Sequence, residues 1–464
     1  MFTSPKHKAA ETDSLAALGT LGEARMKRIL IGLLAVIIVA GLVAAGWYYR
    51  PWSDFSPASV RALDDPEQYV TTFQRMDEIL PSATIAAAAP QALPRNLQPL
   101  DVSYEWEGET RTLDQYLENG RVTGLTVLRN GEMIHQRFFH GADEATRFTS
   151  WSVGKSFVAT LIAMGVGEGL IESLDDPAER YAPEYAGTYY GSVSLRHLLM
   201  MSAGVDFNEE YSPDRPSDVR PFFFNAFILG RSPDQLASAF GASDSVPGEH
   251  FHYASTNTQV LSAVVRNVFG GSLAEVVEER LWTPLGMGAD ATWLQHVPGD
   301  RGVAVGYCCL QATSEDYARM GQFYLQDGVW NGQRLLPEGW VMEATRPVSP
   351  AHETGATPAY GPRGYGLHFW IPEGHDGEYF FAGVYGQYIW VDERRGVVIA
   401  QNAGNPAWGR LGSEVFAVMR AIAETVSPLQ VEPEPVEDVE EPALDAPLGV
   451  EEEPLEEATE EGSE

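Results

Sequence analysis

The chain has 464 residues, 44% of them apolar, and a formal net charge of −34 at pH 7. Length and apolar content together allow one large domain or two smaller ones with a substantial core, and they exclude a disordered protein. The acidity leaves no electrostatic footprint for nucleic acid, yet it is uneven: Val431 to the C-terminus holds 15 carboxylates, several prolines and no Lys or Arg.

Taken from the N-terminus, residues 1–28 end in the basic group Arg25, Lys27 and Arg28, and Ile29 to Tyr49 comes next as about 21 uncharged, mostly apolar residues, enough to cross ~30 Å of hydrocarbon as a helix. Arg50 is soon followed by Asp54, Asp64 and Asp65. The excess of basic residues before the span places the N-terminus in the cytoplasm. The expectation is a single-pass inner-membrane anchor, 29–49, with the remainder on the periplasmic side. A cleaved signal peptide competes, with Val43-Ala44-Ala45 as its cleavage site, although both the leader and the apolar run are long for one. Residues 50–65 read as a linker and 66–427 as the globular domain. The acidic segment 428–464 has too little apolar surface to offset its ordering entropy and reads as a solvated tail, either solubilising or docking a basic partner.

Within the domain, "GLTVLRNGEMIHQRFF" alternates around Asn130-Gly131, the strongest short hairpin signal. "SVGKSFVATLIAMGVGEGLI" has helical periodicity with Ser152 at or beside the N-cap. Further helical segments are "VSLRHLLMMSAG", "TNTQVLSAVVRNVFGG" and "TSEDYARMGQFYLQDG", and "GEYFFAGVYGQYIWVDERRGVVIAQNAG" reads as two antiparallel strands turning around Glu393 to Gly396. Strands at both ends with helices between predict an α+β fold: one antiparallel sheet made by the chain ends, covered by a helical region. The two cysteines, Cys308 and Cys309, are adjacent. They cannot build a disulfide framework or a zinc cluster, and they read as two small core side chains, with a vicinal disulfide as the alternative in an oxidising compartment.

Lys155 is the residue on which function turns. Gly154-Lys155-Ser156 matches the tail of a phosphate-binding loop, but Thr149 stands where that loop needs its first glycine, and no buried parallel strand precedes it. Gly165-Val166-Gly167-Glu168-Gly169 ends a helix rather than opening one and is no dinucleotide fingerprint. Read the other way, Ser152-Val153-Gly154-Lys155 puts a serine and a lysine on one helix face, beside the free N–H groups of a first turn that stabilise an oxyanion. The chain has only four lysines, Lys6, Lys8, Lys27 and Lys155. Past the apolar run it uses arginine everywhere except here, and an arginine cannot give up its proton as a buried lysine base must.

"SWSVGKS", "LDDPAERYAPEY", "SLRHLLMMSAGVDFNEEY", "PGEHFHYASTNTQVLSAVV", "LWTPLGM", "CCLQATSEDYARMGQFYLQDG" and "FFAGVYGQYIWVDERRGVVIAQN" occur in that order. Over roughly 66–426 the chain resembles the serine hydrolases of the class C β-lactamase type, which are penicillin-binding-protein-like, and within them the 6-aminohexanoate-dimer hydrolase and esterase-like branch. The resemblance implies a β-lactamase/transpeptidase-like fold with the S-x-x-K helix, a tyrosine element and a glycine-containing edge strand. It makes Ser152 the nucleophile, Lys155 its activating partner and Tyr253 the proton shuttle, with the backbone N–H groups of Ser152 and Val384 as oxyanion hole. Tyr211, Asp218, Ser255, Trp370, Gly383 and Tyr385 become substrate-pocket candidates. The chain departs from the lactamases in two places. Tyr253-Ala254-Ser255 replaces Y-x-N, and Phe381 or a near neighbour stands where their third motif begins with lysine.

The implied function is hydrolysis of an ester or short amide through an acyl-enzyme, with no metal or organic cofactor. A lactamase or D-amino-acid peptidase, and a catalytically silent membrane-tethered binding protein, are the alternatives. Expected partners are a small-molecule substrate and the membrane. His250 and His252, taken as an i, i+2 pair on a strand, lack a third ligand and read as polar packing.

Overall fold

The computed structural model describes residues 5–50, 52, 55–60, 63, 65–212, 214–409 and 413–429, with side chains from residue 25 onward. The acidic tail from residue 430 and parts of the linker lie outside the described residues. The expected hairpin forms as β1 (Val122–Arg129) and β2 (Glu132–Phe138). Its turn residues Asn130 and Gly131 have φ of 50° and 82°, both positive as a two-residue type I′ connection requires. From the far end of the chain come β3 (Arg363–Tyr365), β4 (Trp370–Pro372), β5 (Glu378–Gly383), β6 (Gln387–Asp392) and β7 (Val397–Ala403). The seven strands form one sheet in the order β3-β4-β5-β6-β7-β1-β2. Every pair in it is antiparallel, and β7 joins the two chain ends with Val397 opposite Arg129. The fold is therefore the α+β, β-lactamase/transpeptidase-like arrangement the sequence implies.

The helices that frame or approach the site are α1 (Pro5–Tyr49), α2 (Val153–Gly167), α3 (Val219–Phe227), α4 (Ser255–Phe269) and α5 (Ser314–Leu325). A sixth, α6 (Glu414–Val426), covers the outer sheet face, where Phe416 packs 5.5 Å from the ring of Phe380. On the inner face, α5 lies against the sheet at Gly321, where a Cβ would come within 2.5 Å of Val398 and 2.6 Å of Ile389. Only a glycine lets that helix backbone approach so closely. The middle of α2, which also packs against β5 and β6 and against α4, is buried on all sides from Val153 to Gly165, the pattern of a helix inside a core rather than on a surface. Burying its Phe157, Leu161 and Ile162 contributes about 1.5 to 3 kcal/mol each. That burial fixes the N-terminus of α2, where Ser152 is the cap residue.

α1 begins well before the expected span, and Arg25–Tyr49 is long and apolar enough to cross a membrane: its most apolar 18 residues have a mean hydropathy of 2.9, and none of those is buried. "VSLRHLLMMSAG" is helical only over Leu195–Leu199.

Candidate active site

The approach to α2 is held from the side. Phe148–Thr149 pairs with Leu310–Ala312, and the Ser150 N–H donates to the Leu310 carbonyl at 2.7 Å. The Ser150 hydroxyl oxygen in turn accepts the N–H groups of Cys309 and Leu310, each at 3.0 Å. Trp151 then takes a positive φ of 42°, a backbone conformation that costs about 1 to 3 kcal/mol and persists only where the surroundings impose it. The chain thereby swings into α2. The helix brings Lys155 one turn beyond Ser152, and Nζ donates to Ser152 Oγ at 2.9 Å and to the Tyr307 carbonyl at 2.8 Å. Gly154, which looked like a phosphate-loop residue, is a packing glycine: a Cβ there would lie 3.0 Å from Ser150 Oγ and 3.4 Å from the Cys308 carbonyl carbon.

Lys155 is 2% exposed, and its Nζ lies over the rings of Tyr253 and Tyr307 at 5.1 and 5.3 Å. Removal from water disfavours the ammonium, so burial draws its pKa down to about 8, against an upward pull from the Glu209 carboxylate. Tyr253 is buried beside it, next to Ser152. Its phenol is pushed well above the ordinary range, first by burial and then by Glu209, which keeps the proton on at neutral pH. Trp370 on β4 stacks on the Tyr253 ring at 5.6 Å, and the Tyr253 N–H donates to Tyr360 Oη at 3.2 Å.

Across from Ser152 lies the end of β5. A Cβ on Gly383 would meet the Ser150 carbonyl oxygen at 2.5 Å and the Ser152 nitrogen at 3.1 Å. The glycine thus lets the strand end close on the Ser152 amide, and Val384 is the next residue. Tyr385, at φ 67°, packs on Tyr69, Phe73 and Trp151 with ring centroids 4.7 to 5.5 Å apart.

Ser152, Lys155, Tyr253, Ser255, Trp370, Gly383, Val384 and Tyr385 all come to this region, and Tyr211 reaches it through Glu209. Asp218 is held at the base of the neighbouring loop. Its carboxylate accepts the Asn208 N–H and its own N–H donates to the Asn208 carbonyl, both at 2.8 Å, so it closes the neck of the 208–218 loop. His252 lies in coil rather than on a strand and bonds the Phe207 carbonyl at 2.7 Å. Cys308 and Cys309 form a vicinal disulfide rather than two separate thiols, immediately after the carbonyl that holds Lys155. Phe381 is fully buried among Tyr324 and Phe369. Among the described residues, no group of three His, Cys, Asp or Glu is arranged to hold a metal ion.

Glu209 is the residue that sequence reasoning does not single out. It accepts the Ser255 N–H at 2.5 Å, the Ser255 hydroxyl at 2.7 Å and the Tyr211 hydroxyl at 2.5 Å. The signal for it was Ser255 itself, because a hydroxyl in place of an amide leaves a partner to be found nearby.

The β-lactamase family model matches residues 110–404. The chain is 29% identical over 342 residues to a 6-aminohexanoate-dimer hydrolase of Paenarthrobacter ureafaciens, covering 72% of this chain and 85% of that protein. It is 24% identical over 194 residues to a D-aminopeptidase of Brucella anthropi, covering 38% of this chain and 34% of the relative. Among solved structures, a Bacillus anthracis protein described as a 6-aminohexanoate-dimer hydrolase superposes with a TM-score of 0.69 at 24% identity, over 79% of this chain and 96% of its own. EstCE1, a hydrolase with promiscuous acyltransferase activity, gives 0.53 at 18% identity over 67% and 96%. These two likenesses speak for the fold.

Proposed function

The chain belongs to the β-lactamase family and is a serine hydrolase, and from that premise we propose that it cleaves an uncharged ester or short amide through an acyl-enzyme on Ser152. The observation that carries the reading is the 2.9 Å contact between Ser152 Oγ and a fully buried Lys155 amine. With its pKa near 8, that amine is neutral in a useful fraction of molecules at neutral pH, so it can accept the serine proton. Ser152 Oγ attacks the substrate carbonyl, while the N–H groups of Ser152 and Val384 hold the oxyanion. Tyr253 gives its phenolic proton to the leaving group and is reprotonated by the Lys155 ammonium, which leaves the amine neutral again. Water then attacks the acyl-enzyme with the same base, returning Ser152.

The preference for uncharged substrates rests on two places. Phe381 is sunk in the core where the lactamases present a lysine, and the hydroxyl of Ser255 is held by the Glu209 carboxylate. A carboxylated lactam would meet a negative charge there and lose a charge-assisted hydrogen bond worth roughly 1.5 to 3 kcal/mol. Arg363 does not replace it, since its guanidinium lies over the rings of Trp370 and Phe416 at 5.9 Å. The protein works anchored by α1, with 66–427 outside the cytoplasm and the acidic tail beyond it. The test is a comparison of kcat/KM for a short-chain p-nitrophenyl ester and for nitrocefin. The ester is expected to be favoured by about two orders of magnitude or more. Equal efficiency, with the lactam rate falling in Arg363→Ala, would replace the esterase reading with a lactamase.

A further inference from the structure

The stretch from Val219 to Pro233 carries Arg220 and Arg231 and not one carboxylate, in a chain with 65 Asp and Glu against 31 Lys and Arg. Its helix α3 turns Val219, Phe222, Ala226 and Phe227 into the body of the domain. Phe223 lies 6.3 Å from the ring of Trp151, the residue before Ser152. The outward side is apolar too. Phe224 and Leu229, which lies just past the helix end, are each 50% exposed. The chain leaving α1 reaches this same ridge, where the Arg50 guanidinium lies 3.5 Å from the Ile228 carbonyl. Trp47, Tyr49 and Trp52 are exposed around the end of α1, as aromatic side chains are at a membrane boundary.

We propose that the outer face of α3, with the turn through Leu229 to Arg231, rests on the headgroup boundary of the membrane that α1 spans, and that it presents the Trp151 side of the serine site to esters and amides dissolved in that membrane. The proposal rests on the anchored reading given above. Phe224 and Leu229 enter the acyl boundary, the two arginines meet anionic headgroups, and the absence of carboxylates spares the contact the repulsion that most of this surface would bring. The Arg50 contact keeps the ridge beside the point where the chain leaves the bilayer. A protein partner fits less well, because two exposed side chains on a short ridge fall far below the ~800 Å² per partner of a stable interface. The substrate class comes from the placement: amphiphilic esters or amides that partition into lipid, with the scissile carbonyl near the headgroups.

The test uses the full chain in mixed phosphatidylcholine and phosphatidylglycerol vesicles, comparing the wild type with a Phe224→Ser, Leu229→Ser double variant. Two substrates are monitored, water-soluble p-nitrophenyl acetate and bilayer-dissolved p-nitrophenyl palmitate. The variant is expected to lose about tenfold on the palmitate while its acetate turnover stays within about twofold of wild type. Unchanged rates on both substrates, with the wild type sedimenting with vesicles, would overturn the docking surface and leave the anchor standing. A wild type that stays in the supernatant would overturn the anchor and this proposal together. A palmitate loss that recurs in lipid-free detergent and tracks protein concentration would assign the face to a protein contact and also overturn it. If the double variant loses the acetate reaction as well, Leu229→Ser alone is read by the same criteria.

Discussion

Replacing Lys155 by methionine keeps most of the volume in a fully buried site and removes the one amine that must change its protonation there. Unfolded, that amine titrates near 10.5, and folded near 8, because burial disfavours its charge. Between those values the unfolded chain holds a proton that the folded chain has shed, so stability rises with pH across the window and the cost of burying the charge is complete below about pH 8. The difference amounts to about 3 kcal/mol, of which about 2 should be recovered between pH 8 and pH 10. The buried tyrosines titrate in both proteins and cancel in the comparison. Urea unfolding of the full chain in detergent should therefore show Lys155→Met ahead of the wild type near pH 8, with the gap narrowing by about 2 kcal/mol toward pH 10. In the wild type, kcat/KM for a soluble ester should fall about tenfold per pH unit below about pH 8 and level off above it. A stability gap independent of pH, or an acid limb lying near 10.5, would refute the argument that this lysine is held as a near-neutral base.

Lys155→Arg keeps a cation but cannot surrender its proton; it should be nearly as inactive as Ser152→Ala while remaining folded, and hydrolysis near the wild-type rate would exclude the mechanism. Gly383→Ala places a Cβ 2.5 Å from the Ser150 carbonyl oxygen. Pushing β5 off the Ser152 amide should lower kcat by about 10² to 10³, the loss seen when an oxyanion donor goes; an active Gly383→Ala enzyme would show that the strand end plays no part. Glu209→Gln removes a charge that draws the Lys155 pKa upward, so its acid limb in the kcat/KM profile should move to lower pH. A limb that stays in place or moves up would show that Glu209 acts by shape alone.

How much of the fold and site was legible in the sequence depends on which interactions are local. Ser152 and Lys155 lie one helical turn apart, so their spacing and the scarcity of lysine point to them directly. The β1-β2 hairpin is written in Asn130-Gly131, whose positive φ values few other pairs accept. Tyr253 is about 100 residues away and is a plain buried aromatic without the family resemblance. The Tyr307 carbonyl is beyond reach of any side-chain pattern, since a backbone acceptor has no residue signature. Cys308-Cys309 has two chemically reasonable states, and the sequence alone does not say that the pair is joined. Asp218, a pocket candidate through the resemblance alone, has its carboxylate on the Asn208 N–H, a backbone partner that no side-chain pattern announces.

The pairing of β7 with β1 sets a timetable for making the protein. Val397 must find Arg129, a separation of 268 residues, and at ordinary synthesis rates that interval takes roughly 13 to 54 s. For that time the β1-β2 hairpin stands with one long side unpaired, a template for any other strand nearby. Nothing encoded before Val397 can complete the sheet, because β7 is the seam between its two halves. A premature stop between Tyr253 and Val397 would leave Ser152, Lys155 and Tyr253 all present in the chain and still yield no site.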